Sequence, residues 1–156
     1  MRLQRKQAPR RGTAAIEFVV VLPFLVPLLI GLWEVGRLVE VQQILSNAAR
    51  EGGRQIATGN TTISTAQTEV INICARNGIT VTASNISITN VTNSTRSDPT
   101  TCNQLDQWHV QVQIPFNSVR WILLNQITTV STLTGQADWF SMRDIPISVN
   151  TTIPTS

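Results

Sequence analysis

Residues 18–33 read FVVVLPFLVPLLIGLW, sixteen positions without a charged or strongly hydrogen-bonding side chain. Extended back to Thr13, the stretch has about 21 residues and would form an α-helix ~31 Å long, close to the thickness of a bilayer hydrocarbon core. Trp33 lies where an aromatic side chain would anchor the helix at the membrane interface. The stretch therefore predicts a transmembrane helix over residues 13–33.

The charges before this stretch predict its orientation. Five of the twelve Lys and Arg residues lie within the first eleven positions, with no acidic residue among them. This bias predicts that the leader, residues 1–12, stays in the cytoplasm while the chain beyond the span lies outside it. Without those five, seven basic and nine acidic side chains remain (7 − 9 = −2), so the net charge of +3 belongs to the leader. Since no Lys follows position 11, a basic nucleic-acid-binding face is not expected.

A cleavable secretory signal peptide is one alternative, and the sequence disfavours it. Such a peptide has an apolar core of about 7–15 residues followed by a small-residue cleavage site. Here the apolar run is longer, carries Glu17 near its start and continues into WEVGRLVEVQQ at residues 33–43. A cleavage site on the far side would fall within a predicted helix.

Glu17 and the residues before it carry a resemblance to a known family. Residues 10–18, RRGTAAIEF, place a glycine after a basic leader and a glutamate five positions after the glycine. They resemble the processing signal of type IV prepilins. Residues 10–54 as a whole resemble the TadE-like family of pseudopilins from tight-adherence (Flp) pilus systems, through this spacing, the Leu-Pro within the span, the Glu34-x-x-Arg37 pair and the run NAAREG that follows.

The resemblance implies a processing step, a role and a set of partners. Prepilin peptidase would cleave after Gly12, Thr13 would become the new N-terminus, and Glu17 would pair with the N-terminal ammonium of a neighbouring subunit. The chain would be a minor pseudopilin of the bacterial inner membrane that acts in pilus assembly, initiation or tip adhesion. Its partners would be the peptidase, other pilin-like subunits, the inner-membrane assembly platform and membrane lipid.

The helix is expected to continue beyond the membrane as an amphipathic segment over residues 34–58. Its apolar stripe is expected to pack on the chain's own domain. Pro23 and Pro27 each lack a backbone donor and predict a bend in the span, while Glu34 and Arg37 are expected to form a local surface ion pair. The stripe consists of Leu38, Val41, Leu45, Ala48, Gly52 and Ile56.

Residues 59–156 predict a small extracytoplasmic α+β domain, in which the long helix and shorter helices pack on an antiparallel sheet. A second helix is expected over residues 61–78, with Thr61 or Thr62 as its N-cap and Gly78 at its end. Residues 118–125 predict a further short helix. Strands are predicted by alternation and β-rich composition at residues 79–91, 107–116, 127–133 and 145–153.

Cys74 and Cys102 both fall in the part that is expected to lie outside the cytoplasm. An even number of cysteines in an oxidising compartment predicts a disulfide, which would close a loop of roughly 28 residues. The alternative is two buried free thiols. The spacing of the two cysteines matches no metal site.

The residues suited to catalysis do not form a recognisable motif. His109, the only histidine, alternates with apolar neighbours in a way that predicts a solvent-facing strand residue. A membrane-tethered hydrolase would need a pocket that joins His109 to a loop aspartate. In the absence of a catalytic, metal-binding or cofactor motif, the sequence indicates no enzyme, cofactor or small-molecule substrate, and the remaining alternative is an uncleaved signal-anchor protein whose outer domain binds a ligand or partner. The aspartates expected in loops are Asp98, Asp106, Asp138 and Asp144.

Overall fold

The computed structural model describes residues 11–119 and 131–143. These residues form a long helix, a short helix and a small antiparallel sheet, as predicted. Several expectations fall outside the described residues: residues 1–10 of the leader, residues 120–125 of the helix expected over 118–125, the start of the strand expected at 127–133, the strand expected at 145–153, and Asp144. The helices and strands are α1 (Arg11–Ala57), α2 (Ile63–Arg76), β1 (Ile86–Asn90), β2 (Gln107–Pro115) and β3 (Thr132–Phe140).

The first helix, α1, is continuous over 47 residues and is therefore ~70 Å long. Its second half buries the stripe that helical periodicity predicts, with Leu38 half-buried and the other members fully buried. The opposite face, which carries Glu40, Asn47 and Arg54 among others, is exposed. The expectation that this stripe packs on the chain's own domain is confirmed.

The sheet has the strand order β1-β2-β3, and both neighbouring pairs are antiparallel. The central strand β2 alternates as predicted, with Trp108, Val110, Val112 and Ile114 buried and the side chains between them on the other face. The inner face packs against α1 and, through the core, against α2. The outer face of the sheet is directed away from α1.

The helix α2 begins and ends at the residues that its capping signals predict. Thr62 is the N-cap, and its hydroxyl accepts a hydrogen bond from the backbone N–H of Thr65 at 3.4 Å. Gly78 follows the helix with φ of +72°, a left-handed conformation that glycine adopts without steric cost.

Two strands differ from the sequence expectation. β1 begins only at Ile86, because residues 83–85 form a 3-10 turn in which the Asn85 side chain accepts from the Thr82 N–H at 3.0 Å and competes with strand pairing. β3 occupies Thr132–Phe140, whereas the predicted strand ended at residue 133. Asp138 therefore lies within a strand, and the expectation that it lies in a loop is wrong.

The predicted disulfide is also wrong: Cys74 and Cys102 are buried free thiols. Cys102 belongs to a small cluster with Ile56, Ala66 and Trp108, whereas Cys74 belongs to the separate main core cluster. The disulfide was predicted from the expected oxidising compartment alone, and the packing of the two cysteines does not support it.

Candidate functional site in the N-terminal helix

The first half of α1 is an apolar rod without contacts to the domain. Every side chain described between Ala14 and Leu29 is exposed, including Phe24 at 78%. An 18-residue window of this helix reaches a mean hydropathy of 2.5, and it is the one helix in the described residues that is long and apolar enough to cross a membrane. Such a surface is stable only when lipid or other apolar helices cover it.

Gly12 lies at the very start of this helix, next to the leader. It is exposed, and a Cβ built on it would have no atom within 4 Å. Its φ is not in the left-handed region either, since the positive-φ glycines are Gly59 and Gly78. Neither packing nor backbone conformation therefore explains a glycine at this position.

Glu17 is the only ionisable residue between Gly12 and Trp33. Its side chain is exposed on the apolar rod, and no hydrogen bond or ion pair within the described part of the chain involves it. A lone carboxylate in hydrocarbon costs a few kcal/mol on insertion scales, so in a membrane it needs a partner. Glu17 lies four residues, about one turn, after Thr13.

Pro23 and Pro27 lie within α1, which continues through both as a helix. Each proline removes one backbone donor, so the carbonyls of Val19 and Pro23 lose their partners four residues on. Continuity alone does not define the direction of the helix axis on either side of the prolines, so the bend stays a prediction.

The turn of α1 that follows the apolar run differs from the expectation. Glu34 is 3% exposed, and its Oε2 atom is buried without a hydrogen bond, so the predicted surface position for this residue is wrong. Arg37 instead bonds to Glu40 at 2.9 Å, and its Nε donates to the carbonyl of Val119 at 3.4 Å. Spacing contains the signal that was missed: Glu34 lies four residues before Leu38 and extends the buried stripe by one turn.

His109 lies on the outer face of the sheet, as its alternation predicts. Its Nδ1 atom is 2.7 Å from Asp138 Oδ1 on β3, and Thr89 lies opposite on β1. A hydroxyl, an imidazole and a carboxylate thus share one row of the sheet. The row is on an open face, however, and the groove on this face is lined by other residues, among them Ser87, Gln111 and Gln113, so the hydrolase alternative gains a His–Asp pair without a substrate pocket.

The side chains of the described residues offer no metal centre, since no group of three or more His, Cys, Asp or Glu among them could hold an ion. Cys74 is poorly suited to chemistry, because burial raises the pKa of its thiol and so suppresses the reactive thiolate. What the described residues offer is an exposed apolar helix with one carboxylate.

Comparison with known proteins agrees with this picture. The family model of the TadE-like protein matches residues 12–54, the segment that begins at Gly12, contains Glu17 and ends within the domain half of α1. The resemblance inferred from the sequence is thereby confirmed. No curated protein and no solved structure matches the chain.

Proposed function

We propose that this chain is a minor pseudopilin of a Tad (tight-adherence) pilus. The match of residues 12–54 to the TadE-like family, which implies a membrane protein associated with that pilus, supports the proposal. In this proposal, prepilin peptidase cleaves it after Gly12, and α1 assembles with other pilin-like subunits. One observation carries the proposal: Glu17 is the single carboxylate on an exposed apolar helix. It lies five positions after Gly12, a glycine that packing does not require.

Cleavage creates the partner that Glu17 needs. The new α-amino group at Thr13 is a cation at the end of an apolar helix, and the Glu17 carboxylate of a neighbouring subunit neutralises it. The two charges then lie in the apolar environment as a pair, and their mutual attraction offsets part of the cost that each would carry alone. The five basic residues that hold the leader in the cytoplasm leave with it, so the subunit is free to be extracted from the bilayer.

The proposed topology follows from the same features. Residues 1–12 form a cytoplasmic leader, residues 13–33 cross the inner membrane once, residues 34–58 continue the helix and residues 59–156 form the outer domain. The peptidase and the inner-membrane assembly platform act on the span, and the domain contributes to assembly, initiation or tip adhesion of the pilus.

Intact mass spectrometry tests the processing step. The full-length protein is expressed with an active prepilin peptidase or with an inactive one, and is then extracted from the membrane. Loss of residues 1–12 only with the active enzyme is the expected result. A full-length mass in both samples would overturn processing and leave an uncleaved signal-anchor protein whose outer domain binds a ligand or partner.

A pair of carboxylate variants tests the role of Glu17. Glu17→Gln is expected to be cleaved normally and to be at least tenfold depleted in complexes with other pilin-like subunits, because the ammonium at Thr13 loses its counter-charge. Glu40→Gln is the matched control, since it removes an exposed carboxylate from the same helix beyond the span. Equal recovery of both variants in those complexes would contradict the assembly role.

A further inference from the structure

At the end of the domain farthest from the span, polar side chains are buried and large apolar side chains are exposed, the reverse of the usual arrangement. Met142 donates its backbone N–H to the carbonyl of Ala57 at 2.7 Å, so this end lies at the C-terminus of α1. Three of the four buried polar or charged residues of the described chain are here. The exposed large apolar side chains that the structure describes beyond Val39 are here too. The buried polar residues are Asn90, Asp106 and Ser141, and the exposed apolar ones are Val91, Leu105, Phe140 and Met142.

We call the four exposed apolar residues, Val91, Leu105, Phe140 and Met142, the distal patch. Backbone hydrogen bonds bring them together. The N–H of Val91 donates to Gln107, which pairs with Phe140 across the sheet, and the N–H of Leu105 donates to Ser141 at 2.9 Å. The four residues therefore lie on adjacent positions of three chain segments.

A network of buried polar groups beneath the distal patch holds it outward. Asp106 accepts hydrogen bonds from the Asn90 side chain at 3.1 Å and from the Asn103 backbone at 2.9 Å. The hydroxyl of Ser141 lies 3.1 Å from the Cys102 sulfur. Since these inward groups have partners, the segment cannot turn over to bury its apolar side chains without breaking the network.

Leu105 gives the strongest sign that this arrangement is specified. Its φ is +67°, in the left-handed region that disfavours a leucine, and its side chain is 70% exposed. The exposed side chain of Leu105 therefore gives the monomer little burial in return for the unfavourable backbone conformation. Such positions mark interaction surfaces.

We propose that the distal patch is an interface with a second copy of this chain. If each side chain carries on the order of 200 Å², four of them at 54–70% exposure present roughly 500 Å² of apolar surface. A standard interface buries about 800 Å² per partner, of which somewhat more than half is non-polar. The distal patch thus matches the apolar core of one side of such an interface.

The position of the distal patch suits a self-contact. By strand alternation Phe140 shares the outer face of the sheet with Gln136 and Asp138, so the patch opens sideways, on the face that α1 does not cover. Two copies anchored in one membrane have the same orientation and height, and their patches meet across a two-fold axis along the membrane normal. A shared membrane also raises the effective concentration. This step rests on the anchoring proposed above.

Cysteine cross-linking of the full-length chain in membranes tests the interface. Differently tagged chains carry Leu105→Cys and Phe140→Cys and are oxidised with copper–phenanthroline. The native cysteines are buried and stay silent. We expect a disulfide-linked dimer at least fivefold above the level of the matched control Gln113→Cys, which is exposed on the same face at the other end of β2. A dimer fraction no higher than that of the control overturns the proposal.

Two further measurements test the alternatives to a self-contact at the distal patch. If residues 144–156 cover the distal patch, Phe140→Cys resists maleimide until the chain is truncated after Arg143, and the self-contact is overturned. If α1 alone pairs the copies, the double variant Leu105→Ser with Phe140→Ser still co-purifies with the wild-type chain, which also overturns it. Loss of co-purification with an unchanged Tm supports it. The mass of the same samples reports cleavage after Gly12 independently, so the two proposals fail separately.

Discussion

Gly135 of β3 lies directly against the backbone of Leu45 in α1. A Cβ built on residue 135 would be only 2.5 Å from the Leu45 carbonyl oxygen and equally close to the Ser46 nitrogen. Because these neighbours are backbone atoms of a buried helix, they have no rotamer with which to move aside. The hydrogen atom at position 135 therefore fixes how closely helix and sheet approach.

Gly135→Ala is expected to lower the free energy of unfolding by roughly 2–3 kcal/mol, because overpacking must push α1 away from the sheet. Denaturant or thermal unfolding of the detergent-solubilised chain measures the change. Gly36→Ala is the matched control on the exposed side of the same helix, where a Cβ meets nothing within 4 Å, and it should be neutral or stabilising by up to about 1 kcal/mol. Equal midpoints for both variants would show that the close approach is not rigid.

Asp106→Ala is expected to destabilise the distal end of the domain by roughly 2–3 kcal/mol. The substitution leaves the buried Asn90 amide and the Asn103 backbone N–H without the acceptor that both use, and unsatisfied buried donors carry the full desolvation cost. Unfolding of the purified chain measures it. Asp138→Ala removes a carboxylate that is 54% exposed and should cost less than about 1 kcal/mol. An equally small effect at Asp106 would contradict the account of the buried network.

The pKa of Asp98 gives stability an acid dependence of known sign. The backbone N–H of Thr100 donates to Asp98 Oδ1 at 2.9 Å and its hydroxyl at 2.8 Å, and these bonds lower the pKa of Asp98 below its ordinary value of 3.8. A carboxyl whose pKa is lower in the folded state contributes stability above its unfolded pKa and loses it as pH falls through the folded pKa. Carboxyl NMR titration should therefore place the midpoint below 3.8.

Asp98→Asn is the corresponding variant for the pH dependence. It should flatten the decline of stability at acid pH slightly, since Asp98 is a solvent-exposed N-cap of the 3-10 turn Pro99–Thr101. Thr100→Val is the complementary change. It removes the hydroxyl donor and leaves the backbone donor, so the pKa of Asp98 should rise towards its ordinary value. A midpoint at or above 3.8 in the unmodified chain would mean that the turn opens in solution.

Hydrophobic periodicity predicted the helices and strands that have one buried face and one solvent-exposed face. The stripe through Val41 and Leu45 and the alternation around Val110 are strong signals because burial selects every third or fourth residue of a helix and every second residue of a strand. The cap at Thr62 was legible because its hydroxyl satisfies a donor that any helix start leaves free.

Sequence patterns failed where tertiary packing decides. β3 reads TLTGQADWF, and its Gly135 and Asp138 argue against a strand, yet glycine is what allows α1 to approach. The disulfide prediction failed because the expected compartment gives no information about the distance between the two cysteines. Of the candidate site, Gly12 and Glu17 were recognisable from their spacing. The distal patch was not, because an exposed Leu105 becomes unusual only when its neighbours prove to be buried and polar.

The state of the two cysteines is a direct check on the packing. Cys74 and Cys102 are buried free thiols, so a maleimide should modify neither in the folded protein and both after denaturation without reductant. Mass spectrometry counts the adducts, and addition of a reductant should leave Tm unchanged. If neither thiol accepts maleimide after denaturation without reductant, the two cysteines form a disulfide, which would contradict the placement of Cys74 and Cys102 in separate parts of the core.

Glu34→Leu is expected to stabilise the protein, by on the order of 1–3 kcal/mol, because a buried carboxylate oxygen without a hydrogen bond costs free energy that an apolar side chain of similar size does not. Glu34 is 3% exposed, and its Oε2 atom has no hydrogen-bond partner among the residues that the structure describes. Glu40→Leu is the matched control on the same helix. It removes an exposed carboxylate that pairs with Arg37 and should change stability by less than about 1 kcal/mol.

The two variants are compared by unfolding in the same detergent, so that any general effect of a new leucine just after the apolar run of α1 cancels. If Glu34→Leu raises Tm and Glu40→Leu does not, the isolated subunit carries an unsatisfied carboxylate one turn before Leu38, in line with the buried stripe. A loss of stability at Glu34 comparable to a core truncation would mean the opposite. The carboxylate would then be bound by a cation in the folded chain, and removing it would leave that cation unpaired.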